Sequence, residues 1–337
     1  MEYVQSIALA ILLAVVIMTF VGRSFVVEGA SMEPTLHNRE RIIVEKVSYR
    51  FRAPARGEII VLRNPWRPDT EGWARAVEAM REVMDTVPMR GRIVIGEGER
   101  DEAPMLYIGE EVGTGNGPEV DIALDPLEGT TLTAKDMPNA LTVIAMAPRG
   151  TLLHAPDVYM EKLAIGPGFK TGTVTLAMSP SERVSALAAA KGCSTEDVTV
   201  CILDRPRHED LIAEVRSTGA AIRLITDGDV AGVMHCAEPE ITGIDMYMGS
   251  GGAPEGVLAA AALKCMGGQF FGRLLFRNDD ERARARKAGI TNFDRVYTRD
   301  DLVRSDVIFS ATGVTNGSLL AGIKREPGWV TLETILM

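Results

Sequence analysis

The segment DIALDPLEGT, residues 121–130, decides the fold prediction because its apolar run ends on charged side chains. The first half predicts a buried β-strand that delivers Asp125, and Pro126 predicts a turn that presents Glu128 and the Thr130 hydroxyl. Two carboxylates three residues apart across a turn suit Mg²⁺, which prefers oxygen ligands. The segment therefore predicts a strand whose end carries a metal site.

Four other segments repeat this construction of polar residues at the end of a strand or the start of a helix. They are VIGEGE (94–99), DRPRH (204–208), DGD (227–229) and GSGGAPEG (249–256). The first predicts a carboxylate pair for a hard cation, the second an arginine fork for phosphate, and the third a contact for sugar hydroxyls. In the fourth, glycines let a ligand approach the backbone, and Glu255 is either a metal ligand or an acid favoured by the helix dipole. Each segment alone also fits solvated turn residues, but ligand sites in α/β sheets lie at the carboxyl ends of strands.

The stretch 198–268 alternates between the hydrophobic periods of strands and helices. Strands are predicted at 198–203, 221–226 and 243–249, and helices at 208–219, 229–237 and 254–268. Short connections and β-branched runs predict an α/β fold whose strands are buried on both faces.

Composition restricts the class of protein. The 337 residues are 46% apolar and include 36 basic and 46 acidic side chains, a net charge of −10. This balance argues against nucleic acid as a partner, and aromatic residues, at 5%, are too few for base-stacking surfaces. Residues 1–70 carry a net charge of +2 and the remainder −12, which predicts two segments of different origin, 1–70 and 71–337.

Residues 4–21 form an uncharged, mostly apolar run of 18 residues, close to the ~20 that a membrane-spanning helix needs. A cleaved signal peptide is the alternative, but no basic residue precedes the run and no small-residue cleavage site follows it. We therefore expect a retained membrane anchor.

The residues after this run resemble bacterial signal peptidase I. The family's G-x-S-M-x-P-T-L context is matched by GASMEPTL (29–36), with Ser31 as the nucleophile, and its R-F-x-x-P-x-R-G-[DE]-I block is matched at 50–59. Alternating apolar residues predict strands at 41–44 and 58–62. The family's lysine base belongs to a downstream block that is missing here, and the arginine in the comparable stretch 73–77 does not lose its proton. We expect an inactive amino-terminal fragment, with an active membrane-bound serine protease as the alternative.

The larger segment, from Val77 to Met337, resembles class II fructose-1,6-bisphosphatase of the bacterial type. The matching blocks follow the family order and include VIGEGE, DPLEGT, HAPDVYMEK, RPRH, DGDVA and GGAPEGV. The resemblance implies metal-dependent hydrolysis of the 1-phosphate of fructose 1,6-bisphosphate in gluconeogenesis, and some members also accept sedoheptulose 1,7-bisphosphate. It further implies an α/β fold, a layered α-β-α-β-α sandwich of the lithium-sensitive phosphatase type, with Mg²⁺ or Mn²⁺, a cytoplasmic location and a homo-oligomer.

The same resemblance assigns roles to individual residues. The implied metal ligands are Glu97, Asp125, Glu128 and Glu255. Thr130 is implied to orient or activate the attacking water, with Asp125 and Glu128 beside it as catalytic residues. The implied substrate contacts are Glu128, Gly129, Thr130, Tyr159, Arg205, Pro206, Arg207, Asp227, Gly228, Asp229 and Gly252.

The sequence departs from that family at both ends of the segment. A further aspartate ligand belongs to an A-D-G-A-A-V block, and here Trp73 or, with a two-residue insertion, Glu71 falls at its position. The family also continues beyond the position of Met337. We therefore expect a join between a signal peptidase start and a shortened bisphosphatase of lowered activity, with subdomains at about 71–195 and 196–337. This hypothesis of a fused or misassembled reading frame is tested by sequencing the transcript across codons 66–76, where an uninterrupted frame would refute it.

Overall fold

The computed structural model describes residues 22–26, 41–45, 70–98, 105–327 and 329–337. The chain divides into two compact units, 1–65 and 66–337. In the first unit, strand β1 (Gly22–Val26) pairs antiparallel with strand β2 (Arg41–Glu45), where the sequence predicts a strand at 41–44. The apolar run 4–21, Ser31 and the strand predicted at 58–62 lie outside the described residues. Within the described ranges, no helix combines the length and the apolar character that crossing a bilayer requires.

Two six-stranded sheets form the framework of the second unit. The first consists of β3 (Arg90–Ile95), β4 (Glu111–Val112), β5 (Glu119–Glu128), β6 (Leu141–Pro148), β13 (Ile308–Gly313) and β16 (Thr334–Leu336), in the order β16-β13-β6-β5-β3-β4. The second consists of β7 (Tyr159–Ile165), β8 (Thr199–Leu203), β9 (Ala221–Ile225), β10 (Met246–Gly252), β11 (Gln269–Leu275) and β12 (Val296–Thr298), in the order β12-β11-β7-β10-β8-β9. A separate hairpin joins β14 (Lys324–Glu326) to β15 (Trp329–Thr331).

The helices of the described residues connect and cover these strands. They are α1 (Thr70–Asp85), α2 (Thr130–Ala134), α3 (Pro180–Lys191), α4 (Glu209–Ser217), α5 (Asp229–His235), α6 (Pro239–Thr242), α7 (Ala253–Met266), α8 (Asp279–Lys287) and α9 (Arg299–Leu302). Their bounds follow from local sequence. For α3, Ser179 accepts a hydrogen bond from the N–H of Glu182 while the Glu182 side chain accepts one from Ser179, and Gly192 ends the helix in the left-handed conformation.

Three apolar clusters show how the helices pack on the sheets. The largest joins strands of both sheets through α7, whose alanines at 259–262 are fully buried and small enough for close approach. A second cluster packs α3 and α4 on β8 and β10, and a third packs α1 on β3 and β5. The prediction of a mixed α/β fold is therefore confirmed.

The predicted elements of 198–268 are present, with two differences. Strand β10 begins and ends three residues later than predicted, at Met246–Gly252 instead of 243–249, because residues 246–252 pair with all of β7. Strand β9 is largely exposed rather than buried on both faces, because it lies at the edge of its sheet.

Parallel pairing brings the ends of several strands together. Strand β3 runs parallel to β5, and β8 runs parallel to both β9 and β10. Strand β7 is antiparallel to β10, so its first residue, Tyr159, lies opposite the last residue of β10, Gly252. The amino end of β7 therefore lies at the same edge as the carboxyl end of β10.

Candidate active site

Three carboxylates from two elements meet in the second unit. Asp125 and Glu128 belong to the end of β5, and Glu255 belongs to the first turn of α7, which directly follows β10. One oxygen of each lies within 4.8 Å of the other two. The structure thus brings together three of the four residues predicted as metal ligands.

Backbone donors fix the two carboxylates of β5. The N–H of Leu127 donates to Oδ1 of Asp125 at 2.9 Å, and the N–H of Val230, in α5, donates to Oε1 of Glu128 at 3.0 Å. The pairing register with β6 shifts between Asp125 and Glu128, where Pro126 interrupts the strand. This irregularity brings the side chains of Asp125 and Glu128 close to each other.

Burial and mutual repulsion disfavour negative charge on this cluster. Burial raises the pKa of Asp125, and burial together with Asp229, Asp125 and Glu255 holds the pKa of Glu128 well above its usual value. Burial raises the pKa of Glu255 to about 7, although the ammonium of Lys162 acts in the opposite direction. A cation bound among these groups would remove the repulsion and lower all three pKa values.

The donor atoms fit a hard divalent cation. Oε2 of Glu255 is buried and has no hydrogen-bond partner among the described residues, as expected for an oxygen that serves as a metal ligand. The preceding Gly252 leaves room for this carboxylate, because a Cβ at that position would displace it from its present place. Carboxylate oxygens select ions such as Mg²⁺ and Mn²⁺ over softer metals.

Glu97, the fourth predicted ligand, follows the end of β3 and is not one of the three carboxylates that meet. Ile95 pairs with Ala123 in the parallel strands β3 and β5, and Glu97 and Asp125 each follow two residues later. Glu97 follows β3 in a bend, and its carboxylate does not belong to the group formed by Asp125, Glu128 and Glu255. Its backbone N–H donates to the carbonyl of Leu106 at 3.0 Å.

The predicted substrate residues of the DGD segment occupy three different positions. Asp227 accepts a hydrogen bond from the N–H of Thr131 at 3.0 Å, which ties this segment to the first turn of α2. Gly228 caps α5 with a φ of 79°, in the left-handed region that favours glycine. Asp229 is buried and forms an ion pair with the fully buried Lys162 at 2.5 Å, and this lysine is absent from the predicted set.

The guanidinium groups of two arginines lie against the Tyr159 ring. Arg207 lies 4.8 Å from the ring centroid and Arg277 lies 4.9 Å from it. Arg207 donates from Nε to the Ser250 hydroxyl at 3.1 Å and from Nη2 to the Ser250 carbonyl at 2.7 Å. Arg277 is held by Glu281 at 2.6 Å. Together they form a basic surface suited to phosphate.

Arg277 is a site residue that motif reasoning misses. Its segment, RLLFRND, has no phosphate-binding signature. Arg277 reaches Tyr159 because β11 pairs antiparallel with β7 and places Leu275 opposite Tyr159, two residues before the arginine.

His208 is a buried residue that contacts Ser250, the residue to which Arg207 donates. Its Nδ1 lies 2.7 Å from the Leu203 carbonyl, while Nε2 accepts a hydrogen bond from the N–H of Ser250 at 2.8 Å. Both contacts are satisfied by a neutral ring, and burial lowers the pKa of His208 in agreement. The histidine therefore fixes Ser250, which in turn fixes Arg207.

The remaining predicted residues lie at the ends of short elements. Thr130 is exposed at the first position of α2, after Gly129 with a φ of 85°. Arg205 caps the 3₁₀ turn that begins at Pro206, and its guanidinium donates to the Asp204 carbonyl at 3.1 Å.

Comparison with known proteins finds two families, whose matches overlap at residues 68–94. Residues 68–337 match the family described as bacterial fructose-1,6-bisphosphatase, glpX-encoded, and residues 1–94 match the family of signal peptidase, peptidase S26. A protein of Prochlorococcus marinus (strain NATL1A), named D-fructose 1,6-bisphosphatase class 2/sedoheptulose 1,7-bisphosphatase, is 46% identical over 270 residues, which covers 76% of this chain and 80% of the relative. A protein of the same name from strain MIT 9303 is 45% identical over 281 residues, which covers 79% and 84%.

Proposed function

This chain belongs to the bacterial fructose-1,6-bisphosphatase family, and we propose that it hydrolyses the 1-phosphate of fructose 1,6-bisphosphate in a metal-dependent reaction. Water attacks the phosphorus, the bond from phosphorus to the sugar oxygen breaks, and fructose 6-phosphate and phosphate leave. Sedoheptulose 1,7-bisphosphate is the second substrate in this proposal, as in the names of the relatives. The observation that carries the proposal is the partly buried cluster of Asp125, Glu128 and Glu255.

In this proposal, Asp125, Glu128 and Glu255 hold one Mg²⁺ or Mn²⁺ ion. Glu97, which follows β3, is the fourth proposed metal ligand. When bound, such an ion lowers the pKa of a coordinated water and offsets the charge of the phosphoryl group. The support is the donor chemistry, the unpartnered Oε2 of Glu255 and the raised pKa values of the cluster.

The basic surface around Tyr159 holds the phosphate that is not hydrolysed. Arg207 and Arg277 both lie within 5 Å of the Tyr159 ring centroid and supply N–H donors for a phosphate, and Arg205 adds charge at the neighbouring turn. Fixing this distant phosphate orients the sugar, so that binding energy positions the reacting phosphorus at the carboxylates. Asp227, Gly228 and the backbone at Gly129 and Gly252 complete the walls for the sugar.

Thr130 orients the attacking water. Its hydroxyl follows the carboxylates of β5 in sequence, and the hydrogen bond from Thr131 to Asp227 fixes the turn that presents it. Removing a positioned proton acceptor of this kind costs about 10²-fold or more in rate.

Phosphate release from fructose 1,6-bisphosphate by the full chain, with Mg²⁺ or Mn²⁺ and with a chelator, tests the proposal. Activity is expected only with metal, and Thr130→Val is expected to lower kcat about a hundredfold. Thr131→Val serves as the matched control, because it removes a neighbouring hydroxyl and leaves the backbone N–H that binds Asp227. Full activity in the chelator, or equal loss in both variants, contradicts the proposal.

A second candidate function concerns the first unit, because residues 1–94 match signal peptidase. Ser31, its implied nucleophile, lies outside the described residues. Cleavage of a preprotein that is lost on Ser31→Ala would establish protease activity, and no cleavage supports the inactive fragment.

Three further assignments remain proposals: a membrane anchor at 4–21, a homo-oligomer, and the α-β-α-β-α layering of the lithium-sensitive phosphatases. For the layering, the support is that α7 packs between strands of both sheets while α1 and α3 cover other faces. Carbonate extraction of membranes tests the anchor, and light scattering of the purified chain tests the oligomer.

A further inference from the structure

The second unit contains a cavity of about 380 Å³ that includes none of the proposed active-site residues. It opens between strands β3 and β5, the loop after β6 and the loop after α8. Asp121, in its wall, precedes Asp125 by four residues on β5, a separation of about 13 Å along the strand. A volume above about 300 Å³ is in the range of small-molecule sites.

Positive charge predominates around this cavity. Arg92, Arg295 and Arg304 line it, whereas Asp121 is its one acidic lining residue among those that the structure describes. The Asp121 carboxylate is already compensated, because it lies 3.2 Å from Arg92 and 3.6 Å from Arg149 and accepts a hydrogen bond from the N–H of Gly150. Asp121 therefore does not neutralise the remaining arginines.

Arg304 is the cation with the most unused capacity. Its Nη2 donates to the Gly150 carbonyl at 2.9 Å, and no carboxylate of the described residues lies within 4 Å of its guanidinium. Arg295 also lines the cavity and pairs with Asp301 at 2.6 Å while about half of its side chain stays exposed. A guanidinium has five N–H donors, so both arginines retain donors for an anion.

The rest of the wall is mixed, with the polar side chains of His154, Thr291 and Asn292 beside an apolar part. Val94, Leu152, Leu153, Ile290 and the Tyr297 ring line the cavity beside the arginines. A ligand with a charged head and a carbon skeleton would satisfy both parts of this wall, whereas a simple ion would use only the arginines.

We propose that this cavity binds a small phosphorylated organic molecule, with its phosphate on Arg304 and Arg295 and its carbon skeleton on the apolar wall. The site is separate from the carboxylate cluster and does not depend on the proposed catalytic function. Its lining residues come from β3, β5 and the loops after β6 and α8, and the chain leaves α8 through Gly289, which has a φ of 83°.

Calorimetric titration of the full chain with phenylphosphonate tests this proposal. This probe has a phosphate-like head on an apolar ring and contains no ester bond for a phosphatase to hydrolyse. A chelator is present throughout, so that binding through a metal ion is excluded. Arg304→Gln is expected to weaken binding about tenfold, the loss of one or two charge-assisted hydrogen bonds.

Two variants serve as controls. Arg216→Gln removes an exposed arginine of α4 that does not line the cavity, and it is expected to leave the affinity unchanged. Arg207→Gln weakens any binding at the basic surface around Tyr159 and separates the two locations. If Arg304→Gln lowers the thermal midpoint, the half-exposed Arg295→Gln replaces it.

The outcomes are distinct. Weaker binding in Arg304→Gln or Arg295→Gln, with Arg207→Gln unchanged, supports the cavity site. Loss of binding only in Arg207→Gln assigns the probe to the active site and overturns the proposal. No binding of millimolar phenylphosphonate to the unsubstituted chain also overturns it, and binding of inorganic phosphate with equal affinity refutes the role of the apolar wall.

Discussion

Asp121 and Glu128 lie on the same strand, β5, and both are almost completely buried, at 1% and 5% exposure, yet their surroundings are opposite. Asp121 faces two arginines and a backbone N–H. Glu128 faces Asp125, Asp229 and Glu255, and of these only Asp229 has a lysine partner. A buried carboxylate with cationic partners is a structural ion pair, whereas a group of carboxylates without them is neutralised by protons or by a cation from outside the chain.

The largest expected difference between the two ends of β5 is in catalysis. Asp125→Asn removes a proposed metal ligand worth several kcal/mol of transition-state stabilisation, so phosphate release should fall about 10³-fold. Asp121→Asn, the same change four residues earlier, should retain activity within a fewfold. Steady-state assays at saturating Mn²⁺ compare the two variants. Equal losses of activity would show that Asp125 and Asp121 do not differ in role.

The next effect concerns pH. Because burial raises the pKa of Glu255 to about 7, protons compete with the metal ion below that pH. The affinity for Mn²⁺ should fall by up to about tenfold for each pH unit below 7. Calorimetry between pH 5.5 and 8 measures this slope, and an affinity that is independent of pH would contradict the assignment of Glu255 as a ligand.

A smaller effect is expected at the basic surface. Arg277→Gln and Arg207→Gln each remove charge-assisted hydrogen bonds to the distant phosphate, so each should raise KM for fructose 1,6-bisphosphate about tenfold. Arg282→Gln, which changes a partly exposed arginine on the neighbouring helix α8, is the control. An unchanged KM in Arg277→Gln would exclude this residue from the substrate site.

The smallest expected effect is on the free energy of unfolding. Substitutions of Glu128 and Asp121, at the two ends of β5, should change it in opposite directions. In chelator, Glu128→Gln should stabilise the chain by about 1–2 kcal/mol, because it removes a repelled charge and keeps the acceptor for Val230. Asp121→Asn should destabilise it by a similar amount, because its arginines lose their partner. Urea unfolding measures both, and shifts of the same sign would refute the comparison.

The contribution of Glu255 to the free energy of unfolding depends on pH. The folded pKa of Glu255, about 7, lies above its ordinary value of 4.5. The folded metal-free chain therefore binds more protons than the unfolded chain between these values. The contribution of this group to stability is fully present below pH 4.5 and is lost as the pH rises through about 7.

The sequence predicts the polar ends of strands better than the strands' arrangement. Asp125, Glu128 and Glu255 can be selected because each combines an apolar run with an acid and a turn or helix start. Their meeting depends on the contact between α7 and both sheets, which no local pattern contains. The end of β10 is missed for the same reason, because its last residues are fixed by pairing with β7.

Arg277 and Lys162 show where motif reasoning ends. Arg277 reaches Tyr159 only through the antiparallel register of β11 and β7. Lys162 is a lysine within a buried strand, and that unusual position is the signal that could have indicated a charged partner such as Asp229. The Arg304 cavity lacks any motif, because its residues come from segments that are distant in sequence.

The central claim is that Asp125, Glu128 and Glu255 form a metal site, and Mn²⁺ titration of the full chain by calorimetry at pH 8 tests it most directly. The account predicts binding by the unsubstituted chain and by Asp121→Asn, and at least tenfold weaker binding by Glu255→Gln. Equal Mn²⁺ affinity in Glu255→Gln and Asp121→Asn would contradict it.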